Sequence, residues 1–187
     1  MEIRPLNIAE VKLVVPKIHR DARGFLSETY SRRVLESAGI PADFVQDNHS
    51  LSVDAGTLRG LHFQAPPHAQ GKLVRVIRGA IFDVAVDIRV GSPTYAQHVG
   101  AILSAENWMQ MWVPAGFAHG FCTLEPNTEV IYKVTDYYAP ECDRGLKWND
   151  AALGIKWPVD HDNAVLSDKD RRQPALNEMA PAFFFGA

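Results

Sequence analysis

The chain has 187 residues, 47% of them hydrophobic and 22% charged, a composition typical of a globular protein with one sizeable core. Its formal net charge is −3, so the composition does not indicate the basic surface with which a protein binds nucleic acid or an anionic membrane. No apolar run approaches the roughly 20 residues that a membrane-spanning helix requires.

The first residues, MEIRPLNIAEV, contain no basic stretch followed by an apolar segment, and so they predict no signal peptide. Cys122 and Cys142 form no CxxC pair and are too few for a disulfide framework. We therefore expect two free thiols in a reducing compartment. These features predict a cytoplasmic protein with one domain over residues 1–187.

Short segments that alternate between apolar and polar residues recur along most of the chain, and each predicts a strand. In chain order they lie near residues 11–18, 25–30, 44–53, 57–64, 72–78, 80–89, 96–104, 109–113, 118–125 and 128–137. One helix is predicted at about 31–38, with Ser31 as its N-cap and Gly39 just beyond its end. From about 151 to 187 the alternation is lost, and we expect turns and short helix wrapped over the sheets.

Many short strands at fairly even spacing predict an all-β sandwich, jelly roll or barrel. The segment FDVAVDI, residues 82–88, has an apolar face and an opposite face that carries Asp83 and Asp87. These acids lie either in solvent, the commoner outcome, or inside a polar cavity. A bend at Arg78-Gly79 would reset the alternation, so the sequence leaves both possibilities open.

The corner WVPAGFAHGF, residues 112–121, contains the pattern PxGxxH, which ends at His119. It resembles the second motif of the cupin superfamily, whose members are small jelly-roll β-barrels. Metal-binding cupins combine this motif with an upstream HxH and a glutamate. Here the upstream segment reads His62-Phe63-Gln64, and the other histidines have no ligand spacing that would replace the missing one. We therefore expect a barrel without a metal.

A fuller resemblance rests on seven motifs that occur in order over roughly residues 19–170. They are DARGFLSE, QDNHS, RGLHFQ, KLVRVIRGAIFDVAVDIR, PAGFAHGF, EVIYKVTDYYAPECDRGLKWND and SDKD. Together they resemble the dTDP-4-dehydrorhamnose 3,5-epimerase family. The resemblance implies a cupin-type jelly-roll β-barrel with an N-terminal strand extension and a few short helices. It also implies an isomerase that needs no cofactor.

The side chains in these motifs suit the chemistry of such an epimerase. A carbon next to a ketone loses its proton to a base, the enolate is held, and a proton returns to the opposite face. His62, with an ordinary pKa near 6.5, suits the base, and Tyr132, a phenol protonated at pH 7, suits the donor. Lys72 would place positive charge where the oxyanion develops.

The resemblance implies the same assignment, with His62 as proton acceptor and Tyr132 as proton donor. In this family an aspartate near the C-terminus pairs with the base, and SDKD aligns Asp170 to it, with Asp168 as the alternative. Such a pair fixes the histidine tautomer and stabilises the imidazolium.

Further positions match residues that contact the substrate in the family, and these are Arg23, Glu28, Gln46, Asn48, Arg59, Lys72, His119, Tyr138, Asp143 and Lys169. Arg23 and Arg59 suit the diphosphate, because arginine engages phosphate oxygens in pairs. Tyr138 suits a stack on the thymine ring. The family usually has glutamate at Asp143, so that contact is expected to be longer or bridged by water.

Two structural expectations follow. The family is dimeric with exchanged N-terminal segments, so we expect a homodimer in which residues 1–30 are exchanged and Arg23 serves the neighbouring site. Arg59 and His62 are three residues apart and would point to opposite faces of a regular strand. Both can face one cavity if Gly60 carries a bulge or if Arg59 lies at the rim of the barrel.

The predicted function is epimerisation of dTDP-4-dehydro-6-deoxy-D-glucose at C3 and C5 to dTDP-4-dehydro-L-rhamnose. The nearest alternative is an epimerase with the same acid and base that inverts C3 alone or C5 alone. A non-catalytic nucleotide-sugar-binding cupin and a metal-dependent cupin enzyme are the remaining alternatives. Neither a nucleic acid nor a membrane is an expected partner.

Overall fold

The computed structural model describes residues 1–41 and 43–186, which form fifteen short strands and two short α-helices. The helices are Arg32–Ser37 (α1) and Asp168–Arg171 (α2), and neither is long or apolar enough to cross a membrane. The strands are Glu2–Pro5 (β1), Lys12–Val15 (β2), Ile18–Asp21 (β3), Gly24–Ser27 (β4), Gln46–Ser52 (β5), Leu58–Gln64 (β6), Lys72–Arg78 (β7), Ala80–Asp87 (β8), Arg89–Val90 (β9), His98–Ser104 (β10), Gln110–Val113 (β11), Phe117–Thr123 (β12), Thr128–Val134 (β13), Asp143–Gly145 (β14) and Phe183–Phe184 (β15).

Two antiparallel sheets form the body of the fold. One has the strand order β1-β2-β11-β7-β13-β5 and the other has the order β10-β8-β12-β6-β14. From β5 to β8 each strand lies in the sheet opposite to the strand before it, and β10 to β14 repeat this alternation. The result is the jelly-roll β-barrel of cupin type that the sequence predicts. The strands of the β3–β4 hairpin pair with neither sheet, and Phe25 of β4 contacts the ring of Trp108.

The inner faces of the two sheets combine an apolar core with a polar end. Val74 and Val76 of β7 pack in the core with Val130 of β13 and Phe121 of β12. Because side chains on a strand alternate between its faces, Lys72 points inward with Val74. Packing of the apolar side chains in the core therefore fixes the direction in which the polar side chains of the same strands point.

The two acids of β8 lie inside the protein. A position in solvent is the commoner outcome for the polar face of an alternating strand, but it is not the one observed here. Asp83 and Asp87 are both fully buried. The chain turns at Gly79, with φ of +75°, between two strands that lie in different sheets, so the alternation restarts there. The apolar face of β8, including Val84 and Val86, instead packs against the C-terminal segment.

Asp87 belongs to a polar cluster away from the barrel's polar end. Its carboxylate accepts hydrogen bonds from the Arg89 guanidinium and from the hydroxyls of Ser92 and Thr94. Burial alone would raise the pKa of Asp87, but these bonds outweigh it and lower the pKa to about 2. This acid is therefore fully compensated within its own loop.

Several predicted elements differ from the observed ones. Helix α1 begins after Ser31, as predicted, and the predicted strand 11–18 is interrupted after Val15 by Pro16. The short strands β1, β9, β14 and β15 were not predicted, because two to four residues give too few alternations to recognise. Phe183 of β15 packs on the outer face of the barrel, and Ala187 lies outside the described residues.

Candidate active site

Two adjoining cavities lie at the polar end of the barrel and share the side chains of His62, Lys72, Tyr132 and Lys169. The larger has a volume of about 460 Å³ and the smaller about 160 Å³. His62 comes from β6 in one sheet and Tyr132 from β13 in the other. An imidazole and a phenol thus line the same space from opposite walls.

His62 is held by a carboxylate from the C-terminal segment. Its Nε2–H donates to Oδ1 of Asp170 over 2.5 Å, and the Asp170 side chain is only 5% exposed. Burial acts to raise the pKa of Asp170, but the His62 hydrogen bond and the Gly60 backbone N–H outweigh it and lower the pKa. The carboxylate is therefore ionised and accepts the bond, which leaves Nδ1 of His62 as the ring nitrogen that can take a proton.

A bulge in β6 brings Arg59 and His62 to one cavity. His62 pairs with His119 of β12 and Arg59 pairs with Phe121, so three steps on β6 lie opposite two on β12. Gly60 lies in this bulge with φ of +128°, a conformation that side-chain-bearing residues rarely adopt. Of the two arrangements that the sequence leaves open, a bulge at Gly60 or Arg59 at the rim, the structure shows the bulge. Both Arg59 and His62 line the larger cavity.

Lys72 and a buried His–Asp pair form the wall beside His62. The Lys72 ammonium donates to the backbone carbonyl of His62 over 3.3 Å. His119 Nε2–H donates to Oδ1 of Asp83 over 2.7 Å, and Oδ2 of Asp83 is buried without a hydrogen-bond partner among the described residues. Burial lowers the pKa of Lys72 to about 8, although the carboxylates of Asp143 and Asp83 act to raise it.

The protonation state of the Tyr132 phenol suits a proton donor. Burial raises the pKa of its phenol above the ordinary value, more than the nearby Arg59 guanidinium lowers it. The hydroxyl is therefore protonated at neutral pH. Tyr132 lies next to Asn48 across the β13–β5 pairing, and Asn48 lines the smaller cavity with Gln46.

A cluster of hydrogen-bonded polar side chains lies at the smaller cavity. The Tyr138 hydroxyl donates to Oδ2 of Asp143 over 3.1 Å, and the Lys169 ammonium donates to the same oxygen. The Tyr138 backbone N–H donates to Oε1 of Gln46 over 3.1 Å. These contacts bring four of the predicted substrate-contacting residues together in the chain itself.

The described part of the chain contains no group of three or more His, Cys, Asp or Glu side chains that could hold a metal ion. At the position where metal cupins have their second HxH histidine, this chain has Gln64. Its side chain is hydrogen-bonded to backbone groups of two loops.

Comparison with known proteins gives the family. A family model described as dTDP-4-dehydrorhamnose 3,5-epimerase matches residues 5–178. A protein of that name from Sinorhizobium fredii is 55% identical over 183 residues, which is 98% of this chain and 93% of the relative. The chain belongs to the dTDP-4-dehydrorhamnose 3,5-epimerase family.

Two solved structures of epimerases are similar along almost the whole chain. One, from Legionella pneumophila, is a dTDP-6-deoxy-D-glucose-3,5-epimerase in complex with dTDP-4-keto-L-rhamnose. It is 46% identical with a TM-score of 0.94, and the match covers 100% of this chain and 99% of that one. The other is a 3′-monoepimerase from Streptomyces bikiniensis in complex with dTDP-quinovose. It is 34% identical with a TM-score of 0.86, covering 93% of this chain and 87% of that one.

Most residues predicted from the family motifs lie at the two cavities, and two do not. The residues that line one or both cavities are Gln46, Asn48, Arg59, His62, Lys72, His119, Tyr132, Tyr138, Asp143, Lys169 and Asp170. Asp170, and not the exposed Asp168, contacts His62. Arg23 and Glu28 are exposed in and after the β3–β4 hairpin, where Arg23 pairs with Asp21.

Sequence reasoning did not assign Asp83, the carboxylate that bonds His119. The alternation in β8 shows that Asp83 and Ala85 share a face, but it does not show whether that face points inward. The apolar residues of the C-terminal segment could have indicated this direction. They need an apolar partner, and they cover the apolar face of β8. The opposite face of β8, which carries Asp83, therefore points into the barrel.

Replacing Gly60 with alanine tests the bulge on which the site depends. The added Cβ would lie 2.6 Å from the Cα of Gly120 and 2.8 Å from the carbonyl oxygen of His119, so the β6–β12 pairing must shift. We expect Gly60→Ala to lower the free energy of unfolding by more than about 3 kcal/mol.

The matched control is Gly154→Ala, because Gly154 has φ of +62° and open space around its Cβ direction. This variant should lose only about 1 kcal/mol. Urea unfolding of both variants measures the difference, and equal losses would contradict the close approach at Gly60.

Proposed function

We propose that the chain is a cytoplasmic isomerase that epimerises dTDP-4-dehydro-6-deoxy-D-glucose at C3 and C5 to give dTDP-4-dehydro-L-rhamnose. The observation that carries the proposal is that His62 and Tyr132 line the same cavities from opposite sheets. An epimerase needs a base on one face of the ring and an acid on the other. Relatives that bear this enzyme name and align over nearly the whole chain support the substrate.

His62 takes the proton from the carbon next to the ketone. Nδ1 accepts the proton while Nε2–H stays bonded to the ionised Asp170, which stabilises the imidazolium as it forms. The electron pair of the broken C–H bond moves into the C4 carbonyl and gives an enolate. The ketone of the substrate is thus the electron acceptor, and the step requires no added cofactor.

Lys72 and His119 stabilise the enolate. Lys72 supplies positive charge at the cavity wall beside His62, and charge stabilisation of this kind is commonly the largest contribution to catalysis. His119 is fixed by Asp83 and lines the same cavity. Asp83 also acts to keep Lys72 protonated against the effect of burial.

Tyr132 completes the reaction from the opposite wall. Its hydroxyl transfers a proton to the enolate carbon on the face away from His62, and the configuration at that carbon is inverted. The imidazolium returns its proton to solvent, and the phenolate of Tyr132 regains one. The same sequence at the carbon on the other side of the ketone gives the second inversion.

The smaller cavity is the proposed nucleotide end. Tyr138 has an exposed ring that suits stacking on thymine, and Gln46, Asn48 and Lys169 offer polar groups beside it. Arg59 at the larger cavity suits the diphosphate. Asp143 bonds both Tyr138 and Lys169, and it therefore orders this end of the site.

A C3-only epimerase is the second candidate. The similarity to the 3′-monoepimerase from Streptomyces bikiniensis favours it, because that protein shares the fold over most of both chains. The 55% identity to a 3,5-epimerase favours inversion at both carbons here.

Solvent deuterium distinguishes these activities. We expect the wild-type protein in D₂O to incorporate deuterium at both C3 and C5 of the dTDP-4-keto sugar, measured by mass spectrometry and NMR. His62→Ala should slow exchange by about 10²–10⁴-fold, because the base is removed, while dTDP binding changes little.

The exposed His161 gives the control, since His161→Ala removes an imidazole that lines neither cavity. Deuterium at C3 alone in the wild-type product would replace the main proposal with the second candidate. Unchanged exchange in His62→Ala would remove His62 as the base.

The pH dependence of kcat/KM tests the role of Lys72. The protonated ammonium is the active form, so activity should fall as pH rises through the Lys72 pKa of about 8. Asp83→Asn removes a carboxylate that raises this pKa, and the fall should move to lower pH.

Asp47→Asn is the control, because Asp47 is exposed and pairs with Lys133 on the outer face of the sheet. A profile that stays in place when Asp83 is changed would contradict the proposed coupling between Asp83 and Lys72.

The N-terminal hairpin supports a proposed homodimer with residues 1–30 exchanged. Phe25 and Leu26 on β4 are 58% and 75% exposed, and the hairpin pairs with neither sheet. In the dimer Arg23 and Glu28 would reach the site of the second copy. Sedimentation equilibrium at micromolar concentration should give twice the mass of 20.8 kDa, and a stable monomer would contradict the exchange.

A further inference from the structure

The side chain of Gln64 is a buried polar group that the reaction does not use. It follows His62 by two residues on β6 and is 3% exposed. Gln64 and His62 lie on the same face of the strand and line the same small cavity. The sequence suggests only that a metal ligand is missing at this position. The structure gives the amide a use of its own.

Among the described residues, Gln64 makes three side-chain hydrogen bonds, all to backbone groups. Its Nε2 donates to the carbonyl of His68 over 2.7 Å and to the carbonyl of Tyr137 over 3.1 Å. Its Oε1 accepts from the backbone N–H of Ala139 over 2.8 Å. The reverse orientation of the amide would set its oxygen against two carbonyls, so these partners fix the orientation.

The two partners from the later segment are the neighbours of Tyr138. The carbonyl before Tyr138 and the N–H after it are both bonded to Gln64, and the N–H of Tyr138 itself is bonded to Gln46. Tyr138 is 57% exposed, so packing does little to hold its ring. Three hydrogen bonds to neighbouring backbone groups hold the backbone that carries the ring, and the bond from its hydroxyl to Asp143 holds the far end of the ring.

We propose that Gln64 is a positioning residue that holds Tyr138 in its place at the nucleotide end of the site. The inference rests on the proposed function, in which the Tyr138 ring stacks on thymine. A side chain that is ordered before the ligand arrives costs less conformational entropy on binding. Gln64 thus acts on nucleotide affinity through Tyr138, whereas His62, two residues earlier on the same strand, acts on the chemical step.

Gln64→Met tests this with a side chain of similar volume that forms no hydrogen bonds. We expect the Kd for dTDP and the KM for the dTDP-4-keto sugar to rise about 10-fold, with kcat within about 2-fold of wild type. Gln64→Glu, which keeps the acceptor and loses both N–H donors, should weaken binding in the same direction. Isothermal titration calorimetry and steady-state kinetics give these values, and Gln97→Met, on an exposed loop glutamine, is the matched control.

A double-variant cycle separates positioning from a general effect on the fold. In a Tyr138→Ala background, Gln64→Met should change the Kd for dTDP by less than about 2-fold, because the residue on which it acts is gone. A full 10-fold loss in that background would overturn the proposal. A fall in kcat with an unchanged KM would overturn it as well.

Hydrogen exchange gives a test that needs no nucleotide. Amides in the peptide that covers Tyr137 to Ala139 should exchange faster in Gln64→Met than in wild type, and equal rates would overturn the proposal. A wild-type protein that binds no dTDP would instead contradict the proposed function, while the exchange rates would still report whether Gln64 holds this segment. The two failures are therefore distinguishable.

Discussion

The bond between His62 and Asp170 joins a strand of the barrel to the C-terminal segment at the candidate active site. His62 belongs to a strand of the barrel, and Asp170 belongs to helix α2 of the C-terminal segment, 108 positions later. The same carboxylate interacts with the backbone N–H of Gly60, so it also holds the bulge that brings Arg59 to the cavity. One buried carboxylate therefore sets the histidine tautomer, supports an irregular strand and closes the C-terminal segment over the site.

The rest of the site follows from the cost of placing charge inside a barrel. A buried charge is tolerated only where opposite charge or hydrogen bonds compensate it. Asp87 is fully compensated by Arg89, Ser92 and Thr94, and its location far from the cavities suits a structural role. Asp83 has one compensated oxygen and one without a partner among the described residues. Asp83 also interacts by charge with Lys72, which links this acid to the residues that line the cavities.

The sequence predicted the barrel and most of the residues that line the two cavities, because both depend on local patterns. Alternation in β6, β7, β8 and β13 was long enough to recognise, and the family motifs predicted His62, Tyr132 and Asp170, with Asp168 as the alternative to Asp170. Two features could not be read in this way. The direction of Asp83 depends on a turn at Gly79, and the hydrogen bonds of Gln64 depend on partners more than 70 residues away.

The proposed mechanism requires that His62 and Tyr132 lie on opposite faces of one bound sugar ring. The most direct measurement is a crystal structure of the protein with a dTDP-linked 6-deoxyhexose that lacks the 4-keto group and cannot react. We expect the ring between the two side chains, with C3 or C5 about 3–3.5 Å from Nδ1 of His62 and the Tyr132 hydroxyl on the other face. A hexose bound in the separate groove between Arg144 and Met179, or one with both side chains on the same face, would contradict it.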